Sequence, residues 1–178
     1  MSLIIPELHT ERLLLRGHRV EDFPAMSAMW TDPNVVRFIG GTPQSDEQSW
    51  QRLLRYWGTW AMFGFGYWAV IEKQSSAFIG ELGLARFHRA IEPALEEPEM
   101  GWAFVPSAQG KGYAREAADR VISWADEALG QSLCCIISES NYRSLHLAQK
   151  CGFCPQLNTL YHGEKVSILK CPSFLRLV

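Results

Sequence analysis

Between Pro98 and Ala118 the chain runs from a β-type segment into an amphipathic helix through a turn that carries glycines at 110 and 112. Glu99 to Val105 reads as a strand, closed by Pro106. From 111 to 129 the residues Ala114, Ala117, Ala118, Val121, Ile122, Ala125, Ala128 and Leu129 form one apolar stripe, and Gly130 stops it. A strand that hands over to such a helix predicts α/β layering. It also predicts chemistry. The first amides of a helix have no intrahelical partner, and the helix dipole adds positive potential there. Glycines let that backbone close on an anion without a Cβ in the way. The turn is not a P-loop, because Lys111 is followed by Gly112 rather than Ser or Thr, and it is not the dinucleotide pattern, because Arg115 stands where a small residue is needed. On these residues alone, an anion site and a plain tight turn remain open.

The rest of the chain supplies the other layers. Residues 11–16 and 67–72 read as strands, as do 78–86, 133–138, 153–161 and 165–170, the last two around His162-Gly163. Residues 21–30 read as a helix. A second helix is expected from Thr42-Pro43, with Trp50, Leu53, Leu54, Trp57 and Ala61 at helical spacing up to Gly64. Asn141 to Lys150 is a third candidate beside the stripe at 111–129. No repeat and no linker interrupts the 178 residues, so a single domain over 1–178 is expected.

Charge and composition narrow the function classes. Apolar residues make up 47% and the net charge is −2, with no basic stripe for nucleic acid. No apolar run approaches a membrane span, and the five cysteines, at irregular spacing, do not form a secreted disulfide framework. A cytoplasmic enzyme or binding protein is the expectation, with no nucleic-acid or membrane partner. Cys151-Gly-Phe-Cys154 imitates a redox pair, but Cys151 falls at a helix C-terminus, where the dipole disfavours a thiolate. Cys134 and Cys135 are adjacent in a strand and point to opposite faces, which argues against a zinc site. No metal is expected.

Three motifs in order carry a family likeness. Gln109-x-x-Gly112-x-Ala114 is similar to the acetyl-CoA signature Q/R-x-x-G-x-G/A of the GCN5-related N-acetyltransferase (GNAT) superfamily. Asn141-x-x-Ser144, continuing through Lys150-Cys-Gly-Phe153, resembles that superfamily's last helix and the turn after it. Thr10-Glu-Arg-Leu-Leu-Leu-Arg16, with Asp22 following, resembles the branch of ribosomal-protein-alanine N-acetyltransferases. The resemblance implies a mixed α/β fold: a twisted, mostly antiparallel seven-stranded sheet, splayed between its fourth and fifth strands, with helices on both faces. It implies acetyl-CoA as co-substrate. The pantetheine arm would pair with backbone at Trp102, Phe104 and Val105, and the pyrophosphate would take Gln109, Gly110, Lys111, Gly112, Tyr113 and Ala114. Asn141 and Arg143 would complete the cofactor site. It also implies that homodimers are open to such a chain.

The implied reaction is direct attack of a primary amine on the thioester. α-Amines and lysines, with reference pKa values of about 8 and about 10.4, are largely protonated at pH 7, so a base is needed. Glu99, opening the strand beside the splay, is the candidate base, with Glu81 and His88 as fallbacks. Ala148 stands where many members place a tyrosine. Ser144 is the candidate acid for the CoA thiolate, as the branch resemblance implies, with Tyr142 as rival. The acceptor, a small molecule or a protein N-terminus, is not encoded in any motif. A non-catalytic CoA-binding sensor or partner module on the same fold is the alternative.

Overall fold

A computed structural model describes residues 3–173. Its elements, in chain order, are β1 (Leu8–His9), β2 (Leu13–Arg16), α1 (Phe23–Thr31), α2 (Pro33–Val36), α3 (Asp46–Phe63), β3 (Tyr67–Glu72), β4 (Ala77–Ala85), β5 (Glu99–Phe104), α4 (Tyr113–Leu129), β6 (Leu133–Ser138), α5 (Tyr142–Lys150), β7 (Cys154–Tyr161) and β8 (Glu164–Cys171). The strands form one sheet in the order β1-β2-β3-β4-β5-β6-β8-β7. Eight strands replace the seven expected from the sequence. The addition is β1, whose two residues pair with Leu14 and Leu15 and are too few to show a period.

Every neighbouring pair is antiparallel except β5 and β6. These two run parallel and meet at a single register pair, Glu99 with Cys134. There the Cys134 N–H donates to Pro98 O at 3.0 Å. Beyond this vertex no further register pair joins the two strands, which is the splay that the family resemblance implies.

Side-chain alternation sorts the core into two faces. Leu13, Leu15, Trp68, Val70, Leu82, Leu84, Met100 and Phe104 pack with Ala117, Ala118 and Val121 of α4 and Ala148 of α5. On the other face Tyr67, Ala85 and Ala103 pack with Met26, Trp30, Leu53 and Tyr56 of α1 and α3. The alternate residues of β4 and β5 on that second face are Glu81, Gly83, Glu99 and Gly101.

Helix starts correct two expectations. α3 begins at Asp46, not at Thr42-Pro43. Ser45 Oγ accepts the Gln48 N–H at 3.2 Å while Gln48 Oε1 accepts the Ser45 N–H at 2.8 Å, so a reciprocal capping box fixes the start. The first helix begins at Phe23, because residues 20–22 form a 3-10 turn in which Asp22 accepts the Arg19 N–H at 2.8 Å. No helix among the described residues is long and apolar enough to cross a membrane.

Candidate active site

The gap between β5 and β6 is lined by backbone. Val105 N–H donates to Ile79 O at 3.0 Å, so odd-numbered residues of β5 bond β4 and the groups of Met100, Trp102 and Phe104 turn towards β6. Not all of these are free. Gln109 Nε2 donates to Phe104 O at 3.0 Å, and Val105 O accepts the Ala108 N–H at 3.0 Å. What remains for a ligand along 102–105 is the Trp102 N–H and C=O and the Phe104 N–H. Val105, with both backbone groups engaged, offers only its half-buried side chain.

The turn after β5 is open. Gln109, Gly110, Lys111 and Gly112 are exposed, and Gly110 and Gly112 adopt φ of 76° and 83°. Only glycine takes that conformation without strain. Gly112 is the N-cap of α4, and no side chain caps the helix. The amides at the front of α4 therefore lack a side-chain partner and face an exposed turn. Such a cradle fits a diphosphate.

Arg12 holds the cradle from behind. Its Nη1 donates to Lys111 O at 3.0 Å, its Nε to Glu116 Oε2 at 2.7 Å, and its guanidinium lies 4.4 Å from the Tyr113 ring centroid. Thr10 Oγ1 and the Arg12 N–H both donate to Glu116 Oε1, at 2.6 Å and 2.9 Å. Glu116, the acid in the first turn of α4, is thus drawn towards β2. A Cβ on Gly112 would sit 3.3 Å from Arg12 Nη2. The Tyr113 hydroxyl donates to Glu72, which raises the phenol's pKa and lowers that of the carboxyl, whose largest cause is a second hydrogen bond from Ser75. Only the backbone of Tyr113 is left to serve a ligand. The Thr10-x-Arg12 pair, read in the sequence as a mark of kinship, has a concrete task.

Across the gap, Asn141 Oδ1 accepts the Ser144 N–H at 3.2 Å and caps α5, leaving its amide nitrogen uncommitted by that bond. Ser144 Oγ accepts from Trp102 Nε1 at 3.3 Å. This contact brings the gap strand and the last helix together. Tyr142 is 77% exposed and Arg143 is also exposed.

The opposite face of β4 and β5 carries buried charge. Glu99 is 7% exposed, and both its oxygens accept from Arg89, at 2.6 Å from Nε and 2.7 Å from Nη2. Arg89 also donates to the Tyr161 hydroxyl at 3.1 Å and stacks over Phe87 and Tyr161. Burial opposes its charge, but the Glu99 bonds outweigh that and raise its pKa. Glu81 is fully buried. It accepts from the Tyr56 hydroxyl and from Trp30 Nε1 at 3.2 Å, and His18 Nε2 lies 3.5 Å from its second oxygen. Tyr67 stacks on Tyr56 at 4.7 Å, and its hydroxyl lies over Gly101, where a Cβ would approach it to 2.2 Å. Burial, then the charges of Glu99 and Glu81, raise the Tyr67 pKa and keep it protonated. His88, in the loop after β4, adopts φ of 51° and joins none of these contacts. Arg12, Tyr67, Arg89 and the His18–Glu81–Tyr56 group were not singled out from the sequence as a set.

Of the cysteines, Cys134 and Cys151 have pKa values pushed up to about 12, by burial first. Neither is an activated nucleophile.

The family model described as "Acetyltransferase (GNAT) domain" matches residues 12–154. The "Uncharacterized N-acetyltransferase YoaA" of Bacillus subtilis (strain 168) is 27% identical over 152 residues, 84% of each protein. The acetyltransferase from Agrobacterium tumefaciens str. C58 superposes with a TM-score of 0.80 at 28% identity, covering 96% of both chains. The spermidine N-acetyltransferase from Vibrio cholerae, solved with CoA and spermine, has a TM-score of 0.73 over 95% of this chain and 100% of that one. At 19% identity, that last likeness is one of fold.

Proposed function

The chain belongs to the GNAT acetyltransferase family and is an acetyl-CoA-dependent acetyltransferase, and on that premise we propose that it acetylates a primary amine by direct attack in the β5–β6 gap. The observation that carries this reading is the conjunction at the gap: strands joined at one register pair, an uncapped helix start at one end, and Ser144 against Trp102 across it.

In this reading the amides from Gly110 to Ala114 and the Lys111 side chain hold the diphosphate, and the backbone of Trp102 and Phe104 with Asn141 orients the arm. Arg143 stands at the exposed edge of the same site. Acetyl-CoA supplies an activated thioester, so no nucleophilic side chain is needed. The Phe104 or Trp102 N–H, preorganised because its strand partner is missing, meets negative charge developing on the acetyl oxygen. Ser144 donates a proton towards the departing sulfur. The amine arrives from the α1–α3 face, and Glu99 takes its proton through a water. An ionised carboxylate has about four lone-pair directions, and the Arg89 fork uses two of them.

Ser144→Ala and Glu99→Gln should each lower kcat by about 100-fold, the low end for general acid–base groups, with the KM for acetyl-CoA little changed. Thiol release with an amine panel measures both. Full activity in either variant removes that residue from the mechanism. No turnover with any amine favours a CoA-binding module instead.

A further inference from the structure

The tip of the β1–β2 hairpin sits against the first turn of α4. Thr10 Oγ1 accepts the Leu13 N–H at 2.9 Å and donates to Glu116 Oε1 at 2.6 Å. Arg12 is fixed from two sides: its C=O accepts the Lys73 N–H at 2.9 Å, and its own N–H donates to Glu116 Oε1 at 2.9 Å. Its guanidinium then divides its donors. Nε and Nη2 each lie 2.7 Å from Glu116 Oε2, while Nη1 reaches Lys111 O at 3.0 Å. The group lies over the Tyr113 ring, whose hydroxyl is committed to Glu72.

This arrangement acts on the turn through direction and through charge. A trans peptide is planar, and its C=O and N–H point in opposite directions. Holding Lys111 O therefore turns the Gly112 N–H away from Arg12, out of the exposed turn. Charge is the second effect. A carboxylate in the first turn of a helix lowers the positive potential there and opposes an anion bound at the helix start. Glu116 is that acid in α4. Partial burial opposes its charge, but the hydrogen bonds from Thr10 and Arg12 outweigh it, lower the pKa and leave Glu116 ionised at pH 7. Arg115, in the same turn, pairs with Asp119 at 3.4 Å, so the cation that answers Glu116 is Arg12.

We propose that Arg12 is a positioning residue for the cofactor: it aims the Lys111–Gly112 amide at the diphosphate and cancels the Glu116 carboxylate that would otherwise repel it. The inference rests on the placement of acetyl-CoA proposed above. In that placement Arg12 works through the Lys111–Gly112 peptide and through Glu116, so it governs cofactor binding and not the chemical step. A plain cross-link between β2 and α4 would be a different role. Such a link needs both of its partners, so losing either would harm the turn. Charge cancellation makes the two residues unequal: Glu116 opposes the anion, and Arg12 removes the opposition.

The test is calorimetric titration of CoA into wild type, Arg12→Gln, Glu116→Gln and the double variant. Arg12→Gln should bind CoA about tenfold more weakly. Glu116→Gln, whose amide oxygen still accepts from Thr10 and Arg12, should bind it about threefold more tightly than wild type. The double variant should return to within about threefold of wild type. The KM for acetyl-CoA should follow these affinities with kcat little changed. Denaturant melts should show both single variants less stable than wild type, so affinity separates them where stability does not. Arg12→Lys keeps the charge but not the fork, so it should fall between wild type and Arg12→Gln, and it makes the same comparison if Arg12→Gln does not fold. Weaker CoA binding by Glu116→Gln overturns the proposal in favour of a plain cross-link. Wild-type affinity in Arg12→Gln also overturns it, and a loss in Gly112→Val would then leave the cradle itself standing. A wild type that binds no CoA overturns the cradle and this inference together.

Discussion

The two faces of the sheet meet at the gap but recognise by different means. On the α4–α5 face the groups offered are main-chain amides, at the front of α4 and along β5, with side chains such as Gln109 and Arg12 acting behind them to hold the backbone. On the α1–α3 face the groups are charged side chains, Glu81 and Glu99 buried and Arg52 and Arg89 half-buried. Main-chain recognition depends on conformation and tolerates most side-chain changes. Side-chain recognition depends on identity and on each buried charge keeping its partner. A fold that keeps one ligand and varies the other would divide its surfaces in this way.

The largest effect should come from breaking conformation on the first face. Gly112→Val puts a β-branched residue at a φ of 83° and a Cβ 3.3 Å from Arg12 Nη2. Several amides would lose their aim at once. At about 1.5 kcal/mol or more for each hydrogen bond to a charged group, the affinity for CoA should fall by roughly 1000-fold. Calorimetric titration with CoA measures it, and a change below tenfold would mean the turn is not the diphosphate site. The fold should survive, because the position is exposed.

On the second face the corresponding break is a charge. Asp22 accepts both Arg16 Nη groups at 2.7 Å, between side chains that are 12% and 7% exposed. Burial pushes the Asp22 pKa up, but the Arg16 hydrogen bonds, the Arg19 N–H and the Arg16 charge outweigh it, and the net shift is down. A carboxyl depressed in the folded state contributes stability at pH values above its unfolded pKa of about 3.9, and that stability is lost as pH falls through the folded value. Asp22→Asn should cost about 3 kcal/mol at pH 7, because it leaves Arg16 without its charge partner. Denaturant melts at pH 7 and at pH 3 test this. The gap between wild type and variant should narrow at the lower pH, and an unchanged gap would assign the loss to packing.

The same division explains what could be read from the chain alone. The strand, turn and helix at 98–129 are contiguous, and their period, glycines and stop signal are local, so the elements are legible, while the choice between an anion site and a plain turn is not and comes only from the family resemblance. β1 is not, because two residues carry no period. The α3 start was misplaced because Thr42-Pro43 has the residue types of a cap, while the pair that makes the cap is Ser45 with Gln48. The α1–α3 face was largely illegible. His18, Trp30, Tyr56 and Glu81 are brought together from four separate elements or loops, and Arg52 reads in the sequence as an ordinary polar position of an amphipathic helix. Strand alternation puts Glu99 on the face shared with Gly101 and Ala103, but its partner Arg89 lies in a loop with no pattern to mark it.

The smallest expected effect joins the two sides of the gap. Trp102 and Ser144 are 42 positions apart, and their contact at 3.3 Å has a fixed polarity. An indole N–H can only donate, so Ser144 Oγ accepts from it, and the serine's own hydrogen is left to point elsewhere. That leaves the proton available to a departing sulfur, as the role proposed for Ser144 requires. Trp102→Phe removes the donor and keeps an aromatic ring, so the hydroxyl is freed to rotate. A neutral hydrogen bond of this kind is worth about 1 kcal/mol, so kcat should fall by about fivefold with the KM for acetyl-CoA little changed. The decisive measurement is the double-mutant cycle. If Trp102 acts by aiming Ser144, then adding Trp102→Phe to Ser144→Ala should cost nothing further. Fully additive losses would show that Trp102 shapes the gap directly, and that the aim of the serine is set by α5 alone.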